Sequence, residues 1–152
     1  MLTKTLIAGA GNPLRHDDGI GPEIIRRLRE HNDFNCNLLD IGTDGLALLD
    51  EMQKYTHVIL IDAVNMSNAP GTVKVFTPEE AKIHISSDTM STHGFGLAEV
   101  IKLMTELNIQ VKLTIIGIQP ENIAFGDGLS FKITAKIPEL IGLILESYHQ
   151  QI

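Results

Sequence analysis

Short apolar stretches alternate with amphipathic stretches along most of the chain, and this alternation limits the folds that it can adopt. Apolar or alternating runs predict five strands, at residues 3–10, 35–42, 56–64, 72–78 and 111–118. Helical spacing of apolar residues predicts helices at residues 21–31, 44–53, 96–107 and 132–150. The polar residues 82–94 are predicted to be a loop. This order predicts an α/β fold with three layers, in which helices cover both faces of a twisted, mostly parallel sheet of about five strands.

Length and composition indicate a single globular domain over residues 1–152. The net charge of −7 argues against nucleic acid as a partner, because nucleic-acid binding needs many cationic contacts to phosphate. No apolar run reaches the roughly 18 residues of a membrane span, so no membrane association is expected. The start lacks the features of a signal peptide, and the single cysteine, Cys36, fits a reducing compartment. The expected location is the cytoplasm.

In open parallel sheets, ligands bind beyond the carboxyl ends of the strands. This rule directs attention to residues 12–18 after the first strand, 40–44 after the second, 62–65 after the third and the segment from Gln119 after the last. The polar loop that ends near His93 could reach the same edge. The remaining histidines, His31, His57, His84 and His149, lie at the ends of elements and are predicted to be solvated.

The stretch IAGAGNPLRHDDGIGPEII, at residues 7–25, begins like a nucleotide-binding loop. Leu14 occupies the place of the third glycine of that loop, and Asp17 and Asp18 would repel a pyrophosphate, so dinucleotide binding is rejected. The GNP turn at 11–13 also resembles peptidyl-tRNA hydrolases, and that alternative would make His16 the essential histidine. The spacing to His16 is short, however, and an acidic chain suits tRNA poorly.

Asp18, Asp62 and His93 lie at three separate strand ends or loops and could together bind a divalent metal ion. Each also has a simpler interpretation. Asp18 could cap the helix that begins beside it, and His93 could be an ordinary loop residue. Asp62 is harder to explain in that way, because a carboxylate at the end of an apolar strand needs a partner.

Five ordered motifs resemble the hydrogenase maturation endopeptidases, the family that trims the large subunit of nickel–iron hydrogenases. They cover nearly the whole chain: GAGNPLRHDDGIGPEII, DIGTDGLALL at 40–49, ILIDAVNMSNAPGTVKVF at 59–76, STHGFGL at 91–97 and IIGIQPENIAFGDGLS at 115–130. One departure is Ile41, where the family usually has glycine. This difference predicts a narrower cleft beside Asp40 or a changed substrate preference.

The resemblance implies a hydrolase, a nickel-dependent endopeptidase that removes the C-terminal tail of a nickel-loaded large-subunit precursor. Asp18, Asp62 and His93 would recognise the nickel, which the precursor supplies, and would form the catalytic and metal-binding trio. Cadmium or zinc could replace nickel in vitro.

Three residues are candidate helpers in the reaction: Asp17 or Asp40 as a base, and Asn12 as a group that ties the turn together or holds the scissile carbonyl. Cys36 is expected to be structural. The protein is expected to dock on its precursor as a monomer. A nickel carrier without hydrolytic activity would use the same trio and remains an alternative.

Overall fold

The computed structural model describes residues 4–31, 36–84 and 96–150, except for the side chains of residues 83 and 84. Its strands are β1 (Thr5–Ala10), β2 (Asn37–Gly42), β3 (His57–Ala63), β4 (Val73–Phe76) and β5 (Lys112–Ile118). Its α-helices are α1 (Ile20–Arg29), α2 (Gly45–Met52), α3 (Pro78–His84), α4 (Leu97–Glu106), α5 (Phe131–Thr134) and α6 (Ile137–His149). A 3₁₀ turn, His16–Gly19, leads into α1.

The strands form one sheet in the order β2-β1-β3-β5-β4, in which only β4 is antiparallel to its neighbour. The chain leaves β1 towards one side of the sheet for β2 and towards the other side for β3. The strand order therefore reverses between β1 and β3, and such a switch point opens a crevice at the carboxyl ends of the two strands.

Alternating side chains of the strands build a hydrophobic core on each face of the sheet. Leu6 and Leu60 pack on one face with residues of α2 and α4. Ile7 and Ile61 pack on the opposite face with residues of α1 and α6. The central strands are apolar on both sides for this reason, and the predicted three-layer α/β fold is confirmed.

Helix α1 lies unusually close to β1. A Cβ atom on Gly9 would collide with the carbonyl oxygen of Gly21, and one on Gly21 would lie 2.6 Å from the backbone nitrogen of Ala10. Glycine at both positions lets the beginning of α1 rest against the end of β1. This contact brings the 3₁₀ turn over the end of the sheet.

Two predictions about helices were wrong in part. Residues 82–84, which were predicted to be in a loop, belong to α3, and residues 85–94 lie outside the described part of the chain. The missed signal is a capping box, in which the Glu80 backbone N–H donates to Thr77 Oγ1 at 3.2 Å and the Thr77 backbone N–H donates to Glu80 Oε1 at 3.0 Å.

The single C-terminal helix predicted at 132–150 is two helices, α5 and α6, separated by a turn at residues 135–136. Pro138 lies in the first turn of α6, where its missing N–H removes no helical hydrogen bond. None of the described helices combines the length and the apolar character that crossing a bilayer requires.

Candidate active site

The segment between β1 and α1 folds back on itself and places Asp18 at the end of the sheet. Gly11 adopts a φ of 137°, and a Cβ atom there would collide with the carbonyl oxygen of Asp18. The Asn12 backbone N–H donates to Asp18 Oδ2 at 2.8 Å, and the Leu14 backbone N–H donates to Asn12 Oδ1 at 2.9 Å. Asn12 therefore does tie the turn together, as one of its two predicted roles required.

Asp18 is 8% exposed and does not cap α1. The N-cap of that helix is Gly19, which makes no side-chain capping bond. The helix-cap explanation of Asp18 is therefore wrong. Its carboxylate instead accepts a hydrogen bond within the loop and borders the crevice beside β3.

Asp62 lies near the carboxyl end of β3 and borders the same cleft as Asp18. Removal from water raises the pKa of the Asp62 carboxyl well above its usual range, and the negative charge of Asp18 raises it further. A hydrogen bond from the Ala63 backbone opposes this shift without cancelling it. The two carboxyl groups are therefore close enough to repel each other, and a cation placed between them would relieve that repulsion.

The cleft lies where the ends of β1, β2 and β3 meet the beginning of α4. It holds a space of about 30 Å³, which suits a single ion or water molecule. Ile41 borders it, at the position where the family pattern has glycine. Its effect on substrate preference stays a prediction.

His93 and Ser91 lie outside the described residues, so the role of His93 as a third ligand stays a prediction. Gly96 lies on the wall of the cleft and follows His93 by only three residues. Within residues 4–31, 36–84 and 96–150, no three side chains from His, Cys, Asp and Glu come together in a way that could hold a metal ion. The described part of the site is thus the pair Asp18 and Asp62.

Asp17 has a use that the sequence did not reveal. Its side chain is fully buried, and its two oxygens accept four hydrogen bonds from the loop that follows β5. Oδ1 accepts from the Ser130 backbone N–H at 2.7 Å. Oδ2 accepts from the backbone N–H groups of Glu121 and Asn122 at 2.9 and 3.0 Å and from Ser130 Oγ at 2.9 Å.

These bonds make Asp17 the anchor between the loop after β1 and the loop after β5. A carboxylate has about four acceptor sites, and four donors fill those of Asp17. No site remains for an attacking water molecule, so the geometry favours a positioning role over that of a base.

Gln119 performs a similar task at the end of β5. Its buried Oε1 accepts from the Met66 backbone N–H at 2.6 Å, and its Nε2 donates to Asn65 Oδ1 at 3.2 Å. The loop after β3 is thereby fixed to the end of β5. Gln119 directly follows β5 and Asp17 lies in the turn after β1. A polar side chain in the segment after a strand is the signal by which a sequence could have indicated both.

The other candidate residues lie around the cleft or away from it. The Asp40 side chain is exposed at the end of β2, and its Oδ1 accepts from the Gly42 backbone N–H at 2.9 Å. His16 is half-buried, and its Nδ1 donates to the Gly128 carbonyl at 2.9 Å. Cys36 precedes β2, and burial raises the pKa of its thiol to about 11, which agrees with a structural cysteine.

His57 is the one described histidine whose predicted solvation is clearly wrong. It is 1% exposed, and its Nε2 lies 2.9 Å from Thr114 Oγ1 on the neighbouring strand. It begins β3, at the opposite end of that strand from Asp62, and takes no part in the cleft.

Fold and site together define an α/β protein of the doubly wound type, with two acidic side chains in one cleft at the switch point between β1 and β3. A family model described as hydrogenase maturation protease matches residues 22–147, and the chain belongs to this family of proteases.

Individual relatives agree with this assignment. The hydrogenase 2 maturation protease of Escherichia coli is 32% identical over 152 residues, which cover 97% of this chain and 92% of the relative. HupD of Thiocapsa roseopersicina, a hydrogenase expression/formation protein, is 34% identical over 147 residues, which cover 94% of this chain but 66% of the relative. The chain thus spans about two thirds of the length of HupD.

Among solved structures, the hydrogenase maturating endopeptidase HybD from E. coli superposes with a TM-score of 0.83 at 32% identity. The superposed region covers 97% of this chain and 93% of the HybD chain. The predicted family resemblance is confirmed. The peptidyl-tRNA hydrolase alternative is set aside accordingly.

Proposed function

We propose that this protein is the endopeptidase that removes the C-terminal tail of a nickel-loaded [NiFe]-hydrogenase large-subunit precursor. We further propose that Asp18 and Asp62, together with His93, contact the bound nickel. The observation that carries the proposal is the pair of carboxyl groups in one small cleft, at the point where the sheet reverses its strand order. Membership of the maturation protease family supplies the reaction class.

The electrostatics of the pair support recognition of a metal ion that the substrate brings. Without a cation, burial and mutual repulsion disfavour two negative charges in the cleft, as the raised pKa of Asp62 indicates. A nickel ion held by precursor cysteines would let both groups ionise, and carboxylate and imidazole ligands suit its open coordination positions. A precursor without nickel gains no such stabilisation, so cleavage would depend on completed metal insertion.

Peptide hydrolysis also needs a group that accepts a proton from the attacking water. Asp17 is occupied by four donors, and the Asn12 side chain accepts from Leu14. Asp40 is the helper whose carboxylate stays exposed, at the end of a strand that also contributes Ile41 to the wall of the cleft. We therefore propose Asp40 as the base.

The test is mass spectrometry of a large-subunit precursor incubated with this protein, in nickel-loaded and nickel-free forms. We expect loss of a C-terminal peptide from the loaded form only. The variants Asp18→Asn, Asp62→Asn and His93→Ala should each lower the cleavage rate by at least about 100-fold, a loss typical of a group that contacts the reacting centre. Asp127→Asn, at an exposed aspartate of the loop after β5, is the matched control and should cleave normally.

The measurement also separates the proposal from its main competitor. Absence of cleavage, combined with tight stoichiometric nickel binding by the free protein, would indicate a nickel carrier. Equal cleavage of loaded and nickel-free precursor would refute the nickel check while leaving the protease activity in place.

A further inference from the structure

Two phenylalanines and a leucine near the candidate active site are strongly exposed. Phe125 is 81% exposed, Phe131 is 86% exposed and Leu14 is 62% exposed. Isolated exposed apolar residues are common, but two nearly bare phenylalanines six residues apart are unusual because phenylalanine is among the residues most often buried. We call Leu14, Phe125 and Phe131 the apolar patch.

Leu14 and Phe125 belong to two loops that are bonded to each other, and Phe131 begins α5 directly after the second of these loops. The Gly126 backbone N–H donates to the Leu14 carbonyl at 2.8 Å, and the His16 backbone N–H donates to the Gly126 carbonyl at 2.9 Å. Asp17 accepts from Ser130, the residue before Phe131. The backbone that carries the apolar patch is therefore held in place, although two of the three residues lie in loops.

The ring of Phe125 also contacts the side chain of Arg15. The guanidinium carbon of Arg15 lies 5.2 Å from the centre of the ring, and Arg15 Nε donates to the Ile123 carbonyl at 3.0 Å. A cation over an aromatic face is attractive, so this contact favours the observed position of the ring. A side chain that is already fixed loses less conformational entropy on binding.

The apolar patch and the candidate cleft lie at the same edge of the sheet. Leu14 precedes Asp18 by four residues in the segment after β1. The loop that carries Phe125 and leads to Phe131 leaves the carboxyl end of β5, next to β3, the strand of Asp62. The patch residues do not line the cleft themselves, so only a substrate large enough to extend along this edge could contact both.

The area of the apolar patch indicates what kind of partner could cover it. An aromatic side chain contributes about 150–250 Å² when buried, so the patch offers on the order of 400 Å². A stable protein–protein interface needs about 800 Å² from each partner. The patch alone is too small for a stable dimer of this chain, but it suits a transient complex that also includes contacts in the cleft.

We propose that the apolar patch is the docking surface for the body of the large-subunit precursor and receives an apolar segment of that protein while the metal site enters the cleft. This inference rests on the proposed function and adds the surface that determines affinity for the substrate. The patch does not touch the scissile bond, so its loss should weaken binding without slowing the chemical step.

The experiment uses the full chain and a nickel-loaded large-subunit precursor, and measures the Kd of the complex together with kcat and KM of tail removal. The variants are Leu14→Ser and the double variant Phe125→Ser/Phe131→Ser. Leu107→Ser is a matched control, because Leu107 is also 62% exposed but follows the end of α4 that points away from the cleft. Thermal unfolding of every variant verifies that the fold is retained.

We expect Leu14→Ser to raise Kd and KM about 3-fold and the double variant to raise them at least about 10-fold, a factor that corresponds to about 1.4 kcal/mol. We expect kcat to change less than about 2-fold in both, and Leu107→Ser to match the wild type.

Other outcomes would overturn the proposal. If the variants bind and cleave like Leu107→Ser, the apolar patch does not dock the precursor, although wild-type cleavage would still support the proposed function. If the wild type binds the precursor without cutting it, the proposed function fails, and the Kd values still decide the role of the patch. If the wild type does not bind the precursor, both fail. Dissociation of a homodimer by the double variant, with unchanged Kd for the precursor, would assign the patch to a second copy of this chain.

Discussion

Replacing Asp17 by asparagine should loosen the contact between the loops after β1 and β5. The asparagine oxygen can take the place of Oδ2, but its NH₂ group then faces the Ser130 backbone N–H, which donates to Oδ1 at 2.7 Å in the wild type. One hydrogen bond is lost, and a donor in a partly buried position is left without an acceptor, at a cost of about 1–3 kcal/mol.

The three bonds to Oδ2 would remain but would lose the negative charge on the acceptor. Hydrogen bonds to charged groups contribute about 1.5–3 kcal/mol, and neutral ones about 0.5–1.5. Relief from burying a charge offsets part of the loss. The expected decrease in the free energy of unfolding is therefore about 3 kcal/mol, which a domain of this size can survive.

Urea unfolding of the wild type and of Asp17→Asn gives this difference directly. Hydrogen exchange adds a local readout, because the amides of Glu121, Asn122 and Ser130 should exchange faster in the variant than in the wild type. Asp127→Asn makes the same chemical change at an exposed position in the same loop and should change stability by less than about 0.5 kcal/mol. A decrease below about 1 kcal/mol for Asp17→Asn, or unchanged exchange at the three amides, would refute this account of the anchor.

Three further predictions concern other parts of the fold. Burial, assisted by the charge of Lys112, lowers the pKa of His57 from 6.5 to about 4, so on acidification the unfolded chain takes up the proton first. The contribution of neutral His57 to the free energy of unfolding is fully present above pH 6.5 and should fall by about 3 kcal/mol between pH 6.5 and 4. Urea unfolding across this range should give a flatter curve for His57→Gln, and parallel curves would contradict the prediction. A Cβ atom on Gly21 would lie 2.6 Å from the backbone nitrogen of Ala10, so Gly21→Ala should destabilise the fold by at least about 2 kcal/mol in thermal unfolding. Gly142 in α6 has open space around it, so Gly142→Ala should be neutral or stabilising. Equal melting temperatures of the two variants would refute the close packing of α1 on β1. Because the pKa of the Cys36 thiol is raised to about 11, it should react with iodoacetamide at pH 8 far more slowly than free cysteine. Cys36→Ala should keep full tail-removal activity. Rapid alkylation, or loss of activity in the variant, would contradict the structural role of Cys36.

Local pattern was sufficient to predict most of the secondary structure. All five strands follow from apolar or alternating runs. The central strands β1, β3 and β5 are buried on both faces, and the edge strands β2 and β4 are only partly buried. Helix α3 was missed because its only strong signal is the capping pair Thr77 and Glu80. The break between α5 and α6 was missed because both segments carry apolar residues at helical spacing, and Pro138 is equally compatible with one bent helix or with a new start.

The candidate site shows the same division between local pattern and tertiary contact. The rule that ligands bind at the carboxyl ends of parallel strands selected Asp18 and Asp62 from the sequence, and the resemblance to a family selected them independently. The structure adds that the two border one cleft and that the negative charge of Asp18 helps to raise the pKa of Asp62. It also assigns Asp17 to its anchoring position, where its partners lie 104, 105 and 113 residues further along the chain.

The sequence by itself determined the alternation of strands and helices, because burial of apolar side chains imposes a period that can be read over a few residues. It also determined the family, because five motifs occur in the family's order. Only the tertiary structure decided which side chains are buried and which are exposed against the expectation from their type. His57 looked like an exposed strand end and is enclosed by β5, whereas Phe125 and Phe131 look like core residues and face solvent. Such outcomes depend on contacts between segments that are far apart along the chain, and no local pattern records those contacts.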